Sequence, residues 1–355
     1  MRKAETKIQN MDTVTFYWTG HPFVDAGLAA ILLIAGKNKP EELNEKDIEK
    51  AINFASKLYT TKEWNSSYLH GMIFPNNGIL MANPSMDKKR SPEAIAENLW
   101  SILEEFKTDG ADSPKCVLCG KGHPYTKKGV YLSIFPLLGT GDVSNYFHSA
   151  NPHGADICAH CIFLTQFMPL VSYRLPRVLV IHAYPYELML ELSKEALADV
   201  RKNRLASQAK GFNRPENFLF HLVGEITRKI ERDEFWENSS VTLYYFICNN
   251  QKQILDVIHI PTQVLRFVAY ANLVDPLGWK RIVSMGWKES PDVINFEKLE
   301  REKRRNMIYS RLLNNESILP YFYNPKEKKV NANWNLLAFY CKEVLGLEKE
   351  SLEFI

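Results

Sequence analysis

This 355-residue sequence has no phosphate-binding P-loop, no Gly-x-Ser-x-Gly elbow and no His-Glu-x-x-His motif. Common routes to nucleotide hydrolysis, acyl transfer and zinc proteolysis therefore have no signature here, which leaves catalysis unsupported rather than excluded. Net charge is also scarce: 44 Lys and Arg face 41 Asp and Glu, a formal +3, so any nucleic acid must be met by local patches. Long apolar runs are missing, since Leu28 to Ala35 is far too short to span a bilayer. No apolar run precedes a small-residue cleavage site near the N-terminus, so the expectation is a cytoplasmic protein with no membrane partner. Six cysteines in so long a chain are too few for a disulfide framework, and no repeat or low-complexity tract occurs.

What the chain does have is two Cys-x-x-Cys pairs, Cys116-Val-Leu-Cys119 and Cys158-Ala-His-Cys161, with thirty-eight residues between them. Each pair has the bite of two tetrahedron corners, so together they can supply four thiolates to one Zn2+ ion. Gly120 follows the first pair, as a knuckle turn requires. The second pair opens the apolar run Ile162-Phe163-Leu164, and a helix start there favours the thiolate form. Closing so long a loop withdraws roughly 4 kcal/mol of freedom from the unfolded chain. The competing readings are a redox couple, a cross-paired disulfide and coincidence. A redox motif works singly, a disulfide needs an oxidising compartment, and catalytic zinc keeps one position open, so the reading is closed structural zinc. Cys248, in a strand-like run, and Cys341, on an apolar helix face, read as core thiols.

The rest of the chain mixes strands and helices without a βαβ rhythm, which places it in the α+β class. Expected strands are Val14–Trp18, Tyr68–Phe74 and Ile79–Ala82 about a Pro75-Asn76-Asn77-Gly78 turn, Val130–Phe135, Arg177–His182, Val241–Cys248 and Ile254–Ile260. Expected helices run from Pro22 to a stop at Gly36, from Asp47 to Leu58, and from a Ser91 cap to Phe106. Others cover Glu187–Gln208, Glu216–Arg232, Pro261–Asn272, Asn295–Leu313 and Trp334–Leu345. Asn83–Arg90 and Gly139–Asn145 read as loops, the latter too weak a glycine pattern for phosphate binding. Residues 1–292 are expected to form an α+β domain with the zinc region, 112–173, embedded in it, and 293–355 a helical segment. His148 and His153 read as loop histidines, and His21, His70 and His182 as core ones.

Two basic clusters stand out. Arg201, Lys202, Arg204, Lys210 and Arg214 occur with no acid among them, interleaved near the end with Gly211, Phe212 and Asn213. Several cations, an aromatic that can stack and an asparagine that can read a base edge suit nucleic acid. The second cluster, Lys298, Arg301, Lys303, Arg304, Arg305 and Arg311, is opposed only by Glu300 and Glu302 and is equally well a solvated helix face. Lys210, Asn213 and Arg214, or else Asn76 and Asn77, are the candidates to approach a DNA groove.

The segment Thr19-Gly20-His21-Pro22-Phe23-Val24-Asp25-Ala26-Gly27, the paired Cys-x-x-Cys motifs and Phe147-His148-Ser149-Ala150-Asn151-Pro152 resemble the CXXC–CXXC family. These are large subunits of type I-B CRISPR surveillance complexes (Cascade), and the resemblance runs from about Thr13 to Trp287. It implies a protein that is not an enzyme. Such a subunit holds the 5′ handle of the CRISPR RNA together with the backbone and handle-binding subunits. It inspects the protospacer-adjacent motif in target double-stranded DNA and helps start the R-loop. It then presents a surface to a helicase–nuclease. Family members continue into a C-terminal helical bundle, whereas this sequence stops soon after Leu347, implying a bundle that is short, absent or made separately. A transposon-associated complex, with a transposition protein in place of the nuclease, fits as well. Two rivals stand beside this reading: a stand-alone zinc-dependent DNA-binding regulator, and a thiol- or zinc-dependent enzyme.

Overall fold

The computed structural model describes residues 15–75, 91–106, 115–125, 129–138, 154–209, 211–229, 236, 238–289, 304–324 and 328–347. They form an α+β protein in two compact units. The first takes Met1–His182, Ser193–Gln208 and Tyr244–Asp256, and the second Ala183–Leu192, Ala209–Leu243 and Val257–Ile355. The boundary expected after residue 292 lies outside the described residues.

In the first unit α1 (Pro22–Ala35) is the central element. Phe23, Val24, Leu28, Ile31, Leu32 and Ile34 are all buried, so it is apolar around most of its circumference, as a helix enclosed on several sides must be. Pro22 opens it, and Gly36, at φ 76°, closes it in the left-handed conformation. Against α1 pack α2 (Glu45–Tyr59), α4 (Ala159–Thr165) and the 3₁₀ turn Met168–Leu170; α3 (Pro92–Leu103) lies against both α2 and α4. Asn44 and Asp47 form a reciprocal capping box on α2, and the Ser91 hydroxyl accepts from Ala94 N at 3.1 Å on α3.

Asp25 holds the entry to α1. Its Oδ1 accepts from the Thr19 N–H at 2.8 Å and the Thr19 hydroxyl at 2.9 Å, while Oδ2 accepts from Gly20 N–H at 2.9 Å and lies 3.2 Å from His182 Nε2. The carboxylate is fully buried. Asp25→Asn would turn an amide N–H toward these donors, so we expect a loss of about 3 kcal/mol. A thermal melt should show this as a midpoint lower by ~6–10 °C, and an unchanged midpoint would show that the network is not structural. His182 is thus partnered, as expected of a core histidine. His21 Nδ1 and His70 Nδ1 are instead buried with no hydrogen-bond partner. Burial lowers the His21 pKa to about 4, so its ring is neutral between Phe23 and Phe135, 5.6 and 5.3 Å away.

The sheet has the order β1-β2-β3-β4, from β1 (Tyr173–Arg174), β2 (Val178–Tyr184), β3 (Ser240–Cys248) and β4 (Gln253–Ile260). β1 and β2 are antiparallel, with Tyr173 opposite Leu179 and Arg174 opposite Val178. The helix α5 (Tyr186–Asn203) follows β2 and ends five residues before the expected Gln208, because Arg204 turns to φ 60°. In the second unit α7 (Thr262–Val274) is central, packed by α6 (Pro215–Lys229), α8 (Pro276–Lys288) and α10 (Trp334–Glu343), with α9 (Met307–Leu313) on α8. A short pair, β5 (Tyr323–Asn324) and β6 (Lys329–Val330), completes it. No helix among the described residues is long and apolar enough to cross a membrane.

Three expected strands are corrected. Residues 15–18 form no ladder, because Phe16 and Tyr17 spend their rings on α4 instead, 5.8 and 4.2 Å from the ring of His160. Tyr68–Ile73 belongs to a π-helix, Glu63–Ile73. Its buried residues are Trp64, Asn65, Tyr68, Leu69, Met72 and Ile73, a spacing near four that matches the wider π turn and not a strand's two. At Val130–Phe135 only Val130 bridges, to Gly154, while Phe135 N–H returns to Tyr131 O at 3.0 Å in a turn. The helix expected from Asn295 is absent over Arg304–Asn306, where Asn306 instead caps α9 through Ile308 N–H at 2.9 Å. Ile79–Ala82, Asn83–Arg90 and Gly139–Asn145 lie outside the described residues, as do His148 and His153. Helix α8 was not anticipated, although Asp275 caps it and Pro276 opens it.

Candidate metal centre

Cys116, Cys119, Cys158 and Cys161 converge in the first unit, with all four sulfurs within 4.8 Å of one another. Cys116 Sγ lies 3.8 Å from Cys161 Sγ, and Cys119 Sγ lies 3.6 Å from Cys158 Sγ. A tetrahedron with metal–sulfur bonds of ~2.3 Å has edges of about 3.8 Å, so the spacing fits a thiolate-bound ion and is consistent with zinc. The separation is far beyond a disulfide bond of ~2.05 Å.

Local backbone chemistry builds each half. The first pair is a knuckle: Gly120 N–H closes on Cys116 O at 2.8 Å with φ 68°, and Leu118 N–H points at Cys116 Sγ from 3.4 Å. Cys116 N–H also returns to Gly122 O at 2.8 Å. Gly122 must lack a side chain, since a Cβ there would sit 2.7 Å from Cys158 Cβ and 2.9 Å from its sulfur. The second pair starts α4, with Cys158 at the N-cap and Cys161 in the first turn. Val117 N–H to Asp156 O at 2.8 Å and Tyr125 N–H to Ile157 O at 2.9 Å tie the two halves together.

The thiols are electrostatically interdependent. Hydrogen bonds from Cys116, then Cys158 and Cys161, hold the Cys119 thiol well below its usual range. Bonds to Cys116 and then Cys119 push Cys158 up, and bonds to Cys116, Cys119 and Cys158 push Cys161 up. One ionised sulfur thus opposes ionisation of the next, and a divalent cation held by these four residues would supply the charge that lets all four ionise.

Two neighbours escaped the sequence reading. Tyr17 donates its hydroxyl to Cys119 Sγ at 3.3 Å, and burial together with that bond holds the hydroxyl protonated. His160, inside the second Cys-x-x-Cys, is buried and stacks on Tyr17 at 4.2 Å with an interplanar angle of 10°. Burial lowers its pKa to about 4, so it is neutral, and neither ring nitrogen has a hydrogen-bond partner. Lys121 also stands over the Tyr17 ring, its ammonium 4.2 Å from the centroid. Such neighbours orient the ligands. No local sequence signal marks Tyr17, which lies ninety-nine positions before Cys116.

The expected nucleic-acid residues fall in both units. Arg201 and Lys202 end α5 and Arg204 follows it in the first unit, all three exposed; Asn213 and Arg214 belong to the second unit and are half-buried. Arg304 and Arg305 lie before α9, and the Arg304 carbonyl accepts from Asn217 at 2.7 Å. Lys210, Asn76, Asn77 and Lys303 lie outside the described residues. Cys248 and Cys341 are buried core thiols, as expected, and Cys248 accepts from Leu137 N–H at 3.3 Å.

No curated protein and no solved structure matches the chain. Residues 109–173, less than a fifth of the sequence but the segment bearing all four sulfurs, match a family described as CRISPR-associated protein (Cas_CXXC_CXXC), and it is to this family that the chain is similar.

Proposed function

We propose that the chain is a non-catalytic large subunit of a type I-B CRISPR RNA-guided surveillance complex. It contacts the 5′ handle of the guide RNA, recognises the protospacer-adjacent motif in duplex DNA, and helps start the R-loop and recruit the effector. The observation that carries this reading is the match of residues 109–173 to a CRISPR-associated family over the four converging sulfurs. A non-catalytic role is supported by the donor set, since four thiolates close the sphere of a structural Zn2+ and leave no position for water. The zinc is a scaffold in this reading: it staples the knuckle to α4 so that polar loops are displayed on something rigid. A reader of only two or three base pairs needs few side chains, because RNA–DNA pairing carries the remaining specificity.

Copurification tests the proposal. The tagged chain, expressed with its neighbouring genes and a repeat array, should retain a guide RNA and repeating backbone subunits. A lone dimer that binds duplex DNA, without RNA, would replace this reading with the regulator.

A further inference from the structure

Four cations of the first unit gather on a face that the linear sequence conceals. Helix α2 carries Lys46, Lys50, Asn53 and Lys57, all exposed. At 3.6 residues per turn these four fall within about 60° of one another on the helix, and Lys46 to Lys57 spans roughly 16 Å. Arg204 is brought to the same face from the end of α5, and with Glu49 and half-buried Phe54 these residues line a groove of about 480 Å³. The guanidinium of Arg204 lies 5.7 Å from the centroid of Phe54.

Arg204 is placed there by its backbone. The residue sits at φ 60°, its N–H returns to Val200 O at 2.8 Å, and its carbonyl accepts from Trp64 Nε1 at 2.9 Å. Four positive side chains and one acid line the groove. Among the described residues no ion pair engages Lys46, Lys50, Lys57 or Arg204.

We propose that this groove binds a single strand of nucleic acid, with Lys46, Lys50 and Lys57 along the phosphates and the Arg204–Phe54 pair as a stacking platform. A row of point charges tracks a backbone without reading its sequence, and an aromatic ring with an arginine beside it accepts any base. The row is as long as about five stacked nucleotides at ~3.4 Å each. Choosing nucleic acid over another polyanion rests on the function proposed above.

The test is fluorescence anisotropy with labelled single-stranded RNA and DNA of about a dozen nucleotides, titrated between ~50 and 200 mM salt. Replacing Lys46, Lys50 and Lys57 together by Gln should lower the slope of log affinity against log salt by about 2. Phe54→Leu keeps an apolar side chain but removes the ring, and should weaken binding at least ~5-fold with the slope unchanged. Arg204→Asn, a residue that tolerates positive φ, should lower both affinity and slope. The lysines and Arg204 are exposed, so those variants should melt like the parent chain. No binding by the parent chain, or an unchanged slope in the triple variant, would overturn the groove. So would an effect confined to duplex DNA, or a loss of slope with Phe54→Leu neutral. If the triple variant still copurifies with guide RNA but keeps its slope, the groove fails and the function stands. If the parent chain shows the expected slope but retains no guide, the function fails and the groove stands.

Discussion

Cys161→Ser should empty the metal centre and unfold the first unit at moderate temperature. The parent chain should carry one zinc per molecule by elemental analysis, and the variant much less. Cys161 is fully buried at the first turn of α4, so a serine hydroxyl there would be a poor ligand with no water to replace the metal. Structural zinc in small peptides is worth roughly 10–16 kcal/mol of binding, comparable with the whole stability of an ordinary domain. Even after the buried helices around α1 retain part of the fold, a loss of ~5 kcal/mol would lower the melting midpoint by at least ~10 °C. Chelator added to the parent chain should have the same effect, and alkylation should reach all four thiols only after chelation. Cys341→Ser is the control: it is a buried thiol in α10, remote in sequence from the knuckle, and should cost about 1–2 kcal/mol with zinc retained. Equal melting of Cys161→Ser and the parent chain would remove the metal from the account of the fold.

Gly27→Ala should be as damaging, although it improves helix propensity by ~1 kcal/mol. A Cβ at position 27 would lie 1.7 Å from Leu164 O and 2.4 Å from Leu164 C, which is backbone and cannot rotate aside. Helix α1 and α4, which carries Cys161, would have to separate by well over an ångström. Leu164 is three residues after Cys161, so that movement would spoil the sulfur tetrahedron as well as the packing. We expect a loss of at least ~4 kcal/mol, seen as insoluble expression or a collapsed melting midpoint, with reduced zinc in whatever folds. A soluble variant that melts within about 2 °C of the parent would show that the two helices do not depend on this contact.

Gly27 shows where reading along the chain stops. Its place inside a helical pattern is visible in the sequence, but the reason for glycine is a carbonyl 137 positions away. The cysteine pairs were legible because metal geometry imposes their spacing locally, and the starts of α1 and α3 were legible because caps and breakers act within one turn, whereas α2 was placed from Asp47 and its Asn44 cap was missed. Tyr17 and His160 were not, since a ring stack between positions 17 and 160 leaves no trace in local spacing. The strand expected at 14–18 failed for the converse reason. Its β-formers are real, but over the described residues 15–18 no neighbouring strand completes a ladder, and burial of Phe16 decides its conformation. The π-helix was read as one arm of a hairpin because of the Pro75-Asn76-Asn77-Gly78 turn signal, while its spacing of four was already present in Trp64, Tyr68 and Met72.

The cationic face divides in the same way. Arg201, Lys202 and Arg204 are conspicuous as a run without acids, but Lys46, Lys50 and Lys57 are diluted by Glu45, Asp47 and Glu49 when read in order. Helical periodicity separates the two sets, and only the bond from Trp64 to the Arg204 carbonyl, with the approach of the guanidinium to Phe54, adds Arg204 to the row. The amino-acid sequence alone determined the four candidate ligands, the class of ion they suit, the capped helices and the mixed fold, because each follows from chemistry within a few residues. Which helix backbones touch, which aromatic covers the sulfurs and which lysines share a face were decided by tertiary packing, because these depend on distances between residues that the chain order does not encode.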